Sequence, residues 1–107
     1  MNTIREISSY ETICIVKPDL NEDNIAKIIE TYQLMLVEKG AQNIVTQNRG
    51  RRHLKYTMKK FKDGIYIQMN YEANGEVIST LEKNMKIDEQ VLRFMTVKNV
   101  LKEKAEA

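Results

Sequence analysis

The pattern of apolar and polar positions divides this 107-residue chain into six segments. Four of them are rich in β-branched residues or alternate between apolar and polar positions, which predicts strands. These are residues 10–16, 41–58, 65–71 and 91–98. The other two segments have apolar residues at helical spacing. One is predicted to begin after Asn21 and end at Gly40, and the other to begin after Asn74.

The resulting βαββαβ order predicts an α+β protein with a ferredoxin-like fold. Two βαβ halves with right-handed crossovers give a four-stranded antiparallel sheet with two helices on one face. No helix is left to cover the other face, so we expect a partner to bind there. We expect residues 1–98 to form a single domain and residues 99–107, which lack a core-facing pattern, to be a flexible C-terminal tail.

The second extended segment is unusually long for one strand. Gly50 within it predicts a bulge or a sharp bend, and the Asp-Gly pair at residues 63–64 predicts the turn to the next strand. Alternate side chains of a strand share a face. Leu54, Tyr56 and Met58 are therefore expected to lie together on the core side of the sheet.

Positive charge is concentrated in one part of a chain whose formal net charge is only +2. Residues 1–48 hold four Lys and Arg against seven Asp and Glu, and residues 63–107 hold six against eight. Residues 49–62 hold seven and no acid. A run of one sign repels itself unless a polyanion screens it, which indicates a nucleic-acid-binding surface. The simpler explanation is a solvated face, or a sheet edge that charge protects from aggregation.

The basic run also has an ordered pattern if it forms a strand. Alternate residues then display cationic side chains about 7 Å apart, a spacing that suits a phosphate backbone. This cationic row consists of Arg49, Arg51, His53 and Lys55, followed by Thr57. A bulge at Gly50 would interrupt the alternation and separate Arg49 from the face of Arg51.

The remaining composition narrows the functional classes. The longest apolar runs have four residues, too few for a transmembrane helix, and the N-terminus resembles neither a secretory signal nor a transit peptide. Cys14 is the single cysteine, which excludes disulfides and zinc schemes by count. His53 is the single histidine, and the sequence contains no phosphate-binding glycine loop. We therefore expect no enzymatic activity, no catalytic residue, no metal, no cofactor and no small-molecule substrate.

Three motifs, in the correct order and spacing, carry a family resemblance. Residues 50–56, GRRHLKY, resemble the G-R-R-x-L-A-Y motif of bacterial-type ribosomal small-subunit protein six. Residues 10–12, with Pro18 downstream, resemble the Y-E start of that family's first strand. Residues 88–98 are similar to its D-x-x-V-x-R-x-M-x-V-K ending. The resemblance covers residues 9–98, which is almost the whole domain.

The chain departs from the family pattern at two places. Lys55 stands where the central motif usually has alanine, which extends the cationic row. Asn74 and Gly75 stand at a helix start where members often have proline. Residues 47–50 and 63–71 look like the cyanobacterial and plastid branch of the family.

The resemblance implies a structural protein of the small ribosomal subunit, located on ribosomes of the bacterial cytoplasm or the plastid stroma. It implies binding to small-subunit ribosomal RNA as a heterodimer with small-subunit protein eighteen. Its motifs assign RNA binding to Arg51, Arg52, Tyr56, Arg93 and Lys98. Tyr10 joins them as a candidate that is equally explained as a core aromatic, and Arg49, His53 and Lys55 join from the cationic row. Ile13 and Ile15, which would otherwise face water, are expected to bind the partner protein.

Two other kinds of protein share the element order or the fold class predicted for this chain. An RNA-recognition motif needs two or three aromatic residues on its central strands, whereas the third strand here presents Tyr66, Gln68 and Asn70 outward. A ferredoxin-like enzyme or ligand-binding regulatory domain would need a loop that binds phosphate, and residues 17–21 contain no glycine.

Overall fold

A computed structural model describes residues 7–99 of the chain. Its six elements follow in the predicted order: β1 (Ser8–Val16), α1 (Glu22–Glu38), β2 (Gln42–Met58), β3 (Phe61–Ala73), α2 (Gly75–Ile87) and β4 (Val91–Lys98). The strands form one antiparallel sheet in the order β2-β3-β1-β4. The predicted ferredoxin-like fold is confirmed.

The core lies between the two helices and one face of the sheet. On the helices, buried side chains recur every three or four residues, so each helix turns a single apolar stripe inward. These side chains are Ile25, Ile28, Tyr32 and Leu36 of α1 and Val77, Leu81 and Met85 of α2. They pack against alternate residues of the central strands, among them Cys14, Val16, Ile67 and Met69. We call this side of the sheet the helix face and the other side the open face.

Asparagine residues form the N-caps of both helices, as predicted. The Oδ1 atom of Asn21 accepts a hydrogen bond from the Asn24 amide at 2.8 Å, and the Oδ1 atom of Asn74 accepts from the amides of Glu76 and Val77. These contacts satisfy amides that have no partner within the helix. Gly40 follows the end of α1 with φ +95°, which confirms its predicted role as the terminating glycine.

Strands β2 and β3 continue past the end of β1 as a two-stranded arm, which we define as residues 51–64. Val16, the last residue of β1, lies opposite Ile65, so the arm has no neighbour in β1. The arm begins at the predicted bulge: the register shifts between Asn48 and Gly50, and Gly50 has φ +92°. The Asn48 side chain accepts a hydrogen bond from the Gly50 amide at 2.8 Å.

The turn at the end of the arm differs from the prediction. Residues 63–64 lie inside β3, and the chain reverses at Lys59 and Lys60, with Met58 opposite Phe61. Both lysines have positive φ, at 48° and 75°, as a two-residue type I′ hairpin requires. The Nζ atom of Lys59 donates to the carbonyl oxygen of Val91 at 3.3 Å. The tip of the arm therefore reaches across the sheet to the start of β4.

The prediction that Leu54, Tyr56 and Met58 face the core was wrong. All three line a pocket on the open face, together with Ile15. Leu54 is buried there because the arm bends over the open face and brings it beside Ile15. A methyl group added to Gly64 would meet Ile15 Cγ2 and lie 3.4 Å from Leu54 Cδ2. Glycine at this position lets the arm close onto β1.

Candidate functional site

The open face is a mixed surface of apolar and polar side chains that neither α1 nor α2 covers. Three rows of opposed residues cross it from β2 to β4. They are Val45–Asn70–Glu11–Val97, Gln47–Gln68–Ile13–Met95 and Gly50–Tyr66–Ile15–Arg93. Val45, Met95 and Val97 are each about half exposed, at 52%, 55% and 50%. Isolated exposed apolar residues are ordinary, but several on one uncovered face indicate a contact surface.

A pocket of about 250 Å³ lies where the arm bends over this face, and we call it the arm pocket. Its base is formed by Ile13 and Ile15 of β1. Leu54, Tyr56 and Met58 of the arm form one wall, and Arg93 and Met95 of β4 form the opposite wall. Ile15 is buried because the arm covers it. Sequence reasoning did not find this pocket, and it missed Met58 and Met95 as members of a site.

The arm pocket gathers four of the predicted RNA-binding residues around the two predicted partner-binding residues. Lys55, Tyr56 and Arg93 line it with Ile13 and Ile15. The fourth, Arg52, lies next to it: its guanidinium carbon is 5.4 Å from the ring centre of Tyr66, another pocket residue. This distance is that of a cation–π contact, which holds the charged group against the open face.

Arg51 and His53 lie together on the other side of the arm, where both contact Asp63. Arg51 Nη2 is 3.2 Å from Asp63 Oδ2, and His53 Nδ1 is 3.0 Å from Asp63 Oδ1. The hydrogen bond with His53, followed by the contacts with Arg51, lowers the pKa of Asp63 below its usual 3.8. Asp63 thus partly compensates the charge of Arg51 and shares a hydrogen bond with His53. The Arg51 and His53 side chains remain 62% and 78% exposed.

The remaining predicted residues lie away from these groups. Arg49 is the extra residue of the bulge between Asn48 and Gly50, and its guanidinium donates to the Gln47 side chain at 3.0 Å, whereas Arg51 contacts Asp63. Tyr10 and Lys98 lie opposite each other at the far end of β1 and β4. The Tyr10 ring stacks on Tyr71, with centroids 6.2 Å apart, and packs against the core. The position of Tyr10 therefore agrees with the alternative explanation that it is a core aromatic residue.

The buried polar groups of the helix face serve the packing of the core. Thr12 is fully buried, and its hydroxyl is 2.7 Å from the Tyr71 hydroxyl and 2.9 Å from that of Thr96. Burial, with a smaller effect of Asp88, raises the pKa of the Cys14 thiol to about 12 and keeps it protonated.

Within residues 7–99, no three His, Cys, Asp or Glu side chains are close enough to hold a metal ion. No helix of this part is long and apolar enough to cross a membrane.

Comparison with known proteins identifies the family. The sequence model described as "Ribosomal protein S6" matches residues 9–98, which include all of β2, the arm and β4. The chain belongs to the ribosomal protein S6 family. It is 63% identical over 91 residues to the small ribosomal subunit protein bS6c of Guillardia theta, a match that covers 85% of this chain and 95% of that protein. It is 42% identical over 88 residues to bS6 of a Cyanothece species, covering 82% and 83%.

A solved structure of the S6 family has the same fold. The S6 protein of Thermotoga maritima superposes with a TM-score of 0.87 at 23% identity, and the match covers 94% of this chain and 95% of that one. The S6 family consists of structural components of the small ribosomal subunit, so the chain is a ribosomal protein without enzymatic activity. Its relatives include cyanobacterial and plastid members, which confirms the predicted branch. The RNA-recognition motif is excluded as the family.

Proposed function

We propose that this S6-family protein binds small-subunit ribosomal RNA through the arm while small-subunit protein eighteen docks on its open face. One observation carries this proposal. The cationic arm and the uncovered apolar surface are adjacent and share the arm pocket, where Lys55 and Arg93 lie beside Ile13 and Ile15. Two partners could therefore bind side by side and strengthen each other's binding.

The charges of the arm support RNA as one partner. Seven Lys and Arg lie between residues 49 and 62, and Asp63 is the first acid after them. Arg51, Arg52, His53 and Lys55 are exposed on a two-stranded ribbon. Binding energy from such a surface comes from releasing the cations that surround each phosphate, so it falls steeply with salt.

The apolar residues of the open face support a protein as the other partner. Ile13 is half-buried. Met95 in its own row and Val45 and Val97 in the neighbouring row are each about half exposed. Apolar, methionine and arginine side chains at the centre of a surface with a polar border are typical of protein interfaces. The open face has this composition.

The RNA contacts are tested by replacing both Arg51 and Arg52 with alanine. RNA affinity is measured as a function of salt in the presence of small-subunit protein eighteen. We expect weaker binding, and a log–log salt slope smaller by about one unit for each phosphate that the variant no longer binds. Lys83→Ala with Lys86→Ala removes the same charge from exposed positions of α2 and should leave the slope unchanged. A wild-type slope and affinity in the arm variant would exclude the arm from the RNA interface.

The heterodimer is tested by measuring RNA affinity with and without small-subunit protein eighteen. The net charge of the isolated chain is only +2, so we expect weak RNA binding alone and a tight ternary complex with the second protein. Equal RNA affinity in both conditions would contradict the heterodimer, whatever the arm variants show.

A further inference from the structure

We propose that the arm pocket receives one large apolar side chain of the protein partner, and that Arg93 binds an acidic group beside that anchor. The proposal rests on the proposed function and names the contact through which the open face would recognise its partner.

The size of the pocket fits one side chain. A cavity of about 150 Å³ lined by apolar residues is large enough for benzene, so 250 Å³ accommodates a phenylalanine, tyrosine, leucine or methionine side chain. The base is aliphatic, with Ile13 and Ile15. Met58 and Met95 contribute flexible thioether side chains that adapt to the shape of an inserted group. Well-packed pockets of this kind, filled by one anchor, provide most of the energy of protein interfaces.

The walls favour a protein side chain over a nucleobase. A base binds by stacking on a flat aromatic face or on a guanidinium plane. Tyr66 lines the pocket, but Arg52 already lies over its ring at 5.4 Å. Phe94 also lines the pocket, but it packs against the core of the helix face. Five further lining residues have branched aliphatic or thioether side chains, which offer no flat surface: Ile13, Ile15, Leu54, Met58 and Met95. Tyr56 is 70% exposed and forms part of the border.

The charges at the pocket indicate that an acidic group binds beside the apolar anchor. Lys55 and Arg93 are its charged lining residues, and both are positive. Within residues 7–99, neither forms an ion pair with a carboxylate. A carboxylate next to the inserted anchor would pair with Arg93 in a partly desolvated setting, where such a pair contributes more than on an open surface.

The pocket exists before a partner arrives, because contacts within the chain hold the arm in place. The Lys59 side chain bonds to the Val91 carbonyl at the tip, and Leu54 packs beside Gly64 and Ile15 near the base of the arm. A preformed pocket loses less conformational entropy on binding than a pocket that must first order. This arrangement suits a site for a specific anchor.

The anchor is tested by calorimetric titration of the purified full-length chain with small-subunit protein eighteen in the absence of RNA. Ile13→Ala and Met95→Ala change the base and one wall of the pocket, and each should weaken binding about tenfold or more. Val37→Ala removes an apolar group of similar exposure, 57%, from α1 outside the open face and should change affinity less than about threefold. Thermal unfolding of each variant shows whether it is folded.

The outcomes separate this inference from the proposed function. If the wild-type chain does not bind small-subunit protein eighteen at all, the heterodimer itself is contradicted. If the wild type binds and the folded pocket variants bind equally well, the partner does not use the pocket and this inference fails alone. If the pocket variants bind the protein normally but lose affinity for ribosomal RNA, the occupant is a nucleobase and the inference is again overturned.

The acidic group is tested by charge reversal. Arg93→Glu should weaken the protein complex about tenfold, whereas Lys83→Glu on α2 should leave it unchanged. Changing each Asp and Glu of small-subunit protein eighteen to lysine in turn should yield one variant that binds the Arg93→Glu chain better than it binds the wild type. If no variant reverses the preference in this way, Arg93 does not pair with an acid of the partner.

Discussion

The two faces of the sheet use the same strands for different purposes. On the helix face, Cys14, Val16, Ile67 and Met69 are at most 1% exposed beneath two helices that belong to the fold. On the open face, the residues next to them along the strands include both polar and apolar side chains, and the arm covers part of that face. Ile15 is buried by this cover, whereas Met95 is left 55% exposed. The packing of the helix face therefore stabilises the domain, whereas the open face leaves apolar side chains accessible for contacts.

The sharpest test of this division compares one truncation on each face. Leu36 of α1 is fully buried against the core, so Leu36→Ala should lower the free energy of unfolding by about 2–5 kcal/mol. Met95→Ala on the open face removes a half-exposed side chain and should cost less than about 1 kcal/mol. Urea unfolding measures both. Similar losses would show that the open face contributes to stability as much as the core.

Gly64→Ala tests whether the arm must close onto the open face. The added methyl group would collide with Ile15, so we expect a loss of about 1–3 kcal/mol in unfolding free energy and a displaced arm. Gly75→Ala is the matched control, because a methyl group there meets no atom within 4 Å. The control should be neutral or slightly stabilising. Equal stability of the two variants would mean that the arm does not press on β1.

Thr12→Val tests the buried polar contacts of the helix face. Valine has nearly the same shape but leaves the buried Tyr71 hydroxyl without this partner, which should cost about 1–2 kcal/mol by urea unfolding. Adding Tyr71→Phe removes that hydroxyl and should recover part of the loss. If the double variant loses more free energy of unfolding than the two single variants together, packing and not hydrogen bonding determines the cost.

Asp63→Asn tests the charge cluster on the outer side of the arm. The pKa of Asp63 is lower in the folded protein than its usual 3.8, so the carboxylate adds stability above that pH. This contribution is lost as the pH falls through the lowered value. The melting temperature of the wild type should exceed that of the variant slightly near neutral pH, and the difference should disappear as the pH falls below the usual pKa of 3.8 and through the lowered one. A difference that persists in acid would have another origin than the charge.

The smallest effect is expected for the C-terminal tail. The Asn99 amide donates to the Ser9 carbonyl at 2.8 Å, so Asn99 is kept in the truncated chain, and the domain boundary at residue 98 stays a prediction. Residues 100–107 lie outside the described part of the chain, and the sequence predicts that they do not contribute to the core. A chain ending at Asn99 should therefore melt within about 2 °C of the full-length protein. A decrease of more than about 5 °C would contradict this boundary.

Local patterns were sufficient to predict most of the fold. Helix caps at Asn21 and Asn74 have side chains that satisfy free amides, and strand β4 has the predicted bounds of residues 91–98. The turn of the arm could not be found in this way. Lysine is not a typical residue for positive φ, and the conformation at Lys59 and Lys60 is supported by strand pairing and by the Val91 carbonyl.

The candidate site was predicted by residue type but not by position. The motif and the charges pointed to Arg51, Arg52 and Tyr56, but their faces depend on how the strand continues beyond the bulge at Gly50. Apolar Leu54 was placed in the core because hydrophobicity does not distinguish between two faces that can both be covered. Only the path of the arm over β1 shows which face buries it.

The position of β1 has a consequence for the order of folding. β1 lies in the middle of the sheet, but its neighbour β4 is the last strand, so Tyr10 meets Lys98 across almost the whole chain. The β2–β3 hairpin is local and can form early, whereas the β1–β4 pairing has to close a long loop. During synthesis, one edge of β1 stays unpaired until β4 has emerged. The apolar run of residues 13–16 would then be exposed to aggregation until the final strand arrives.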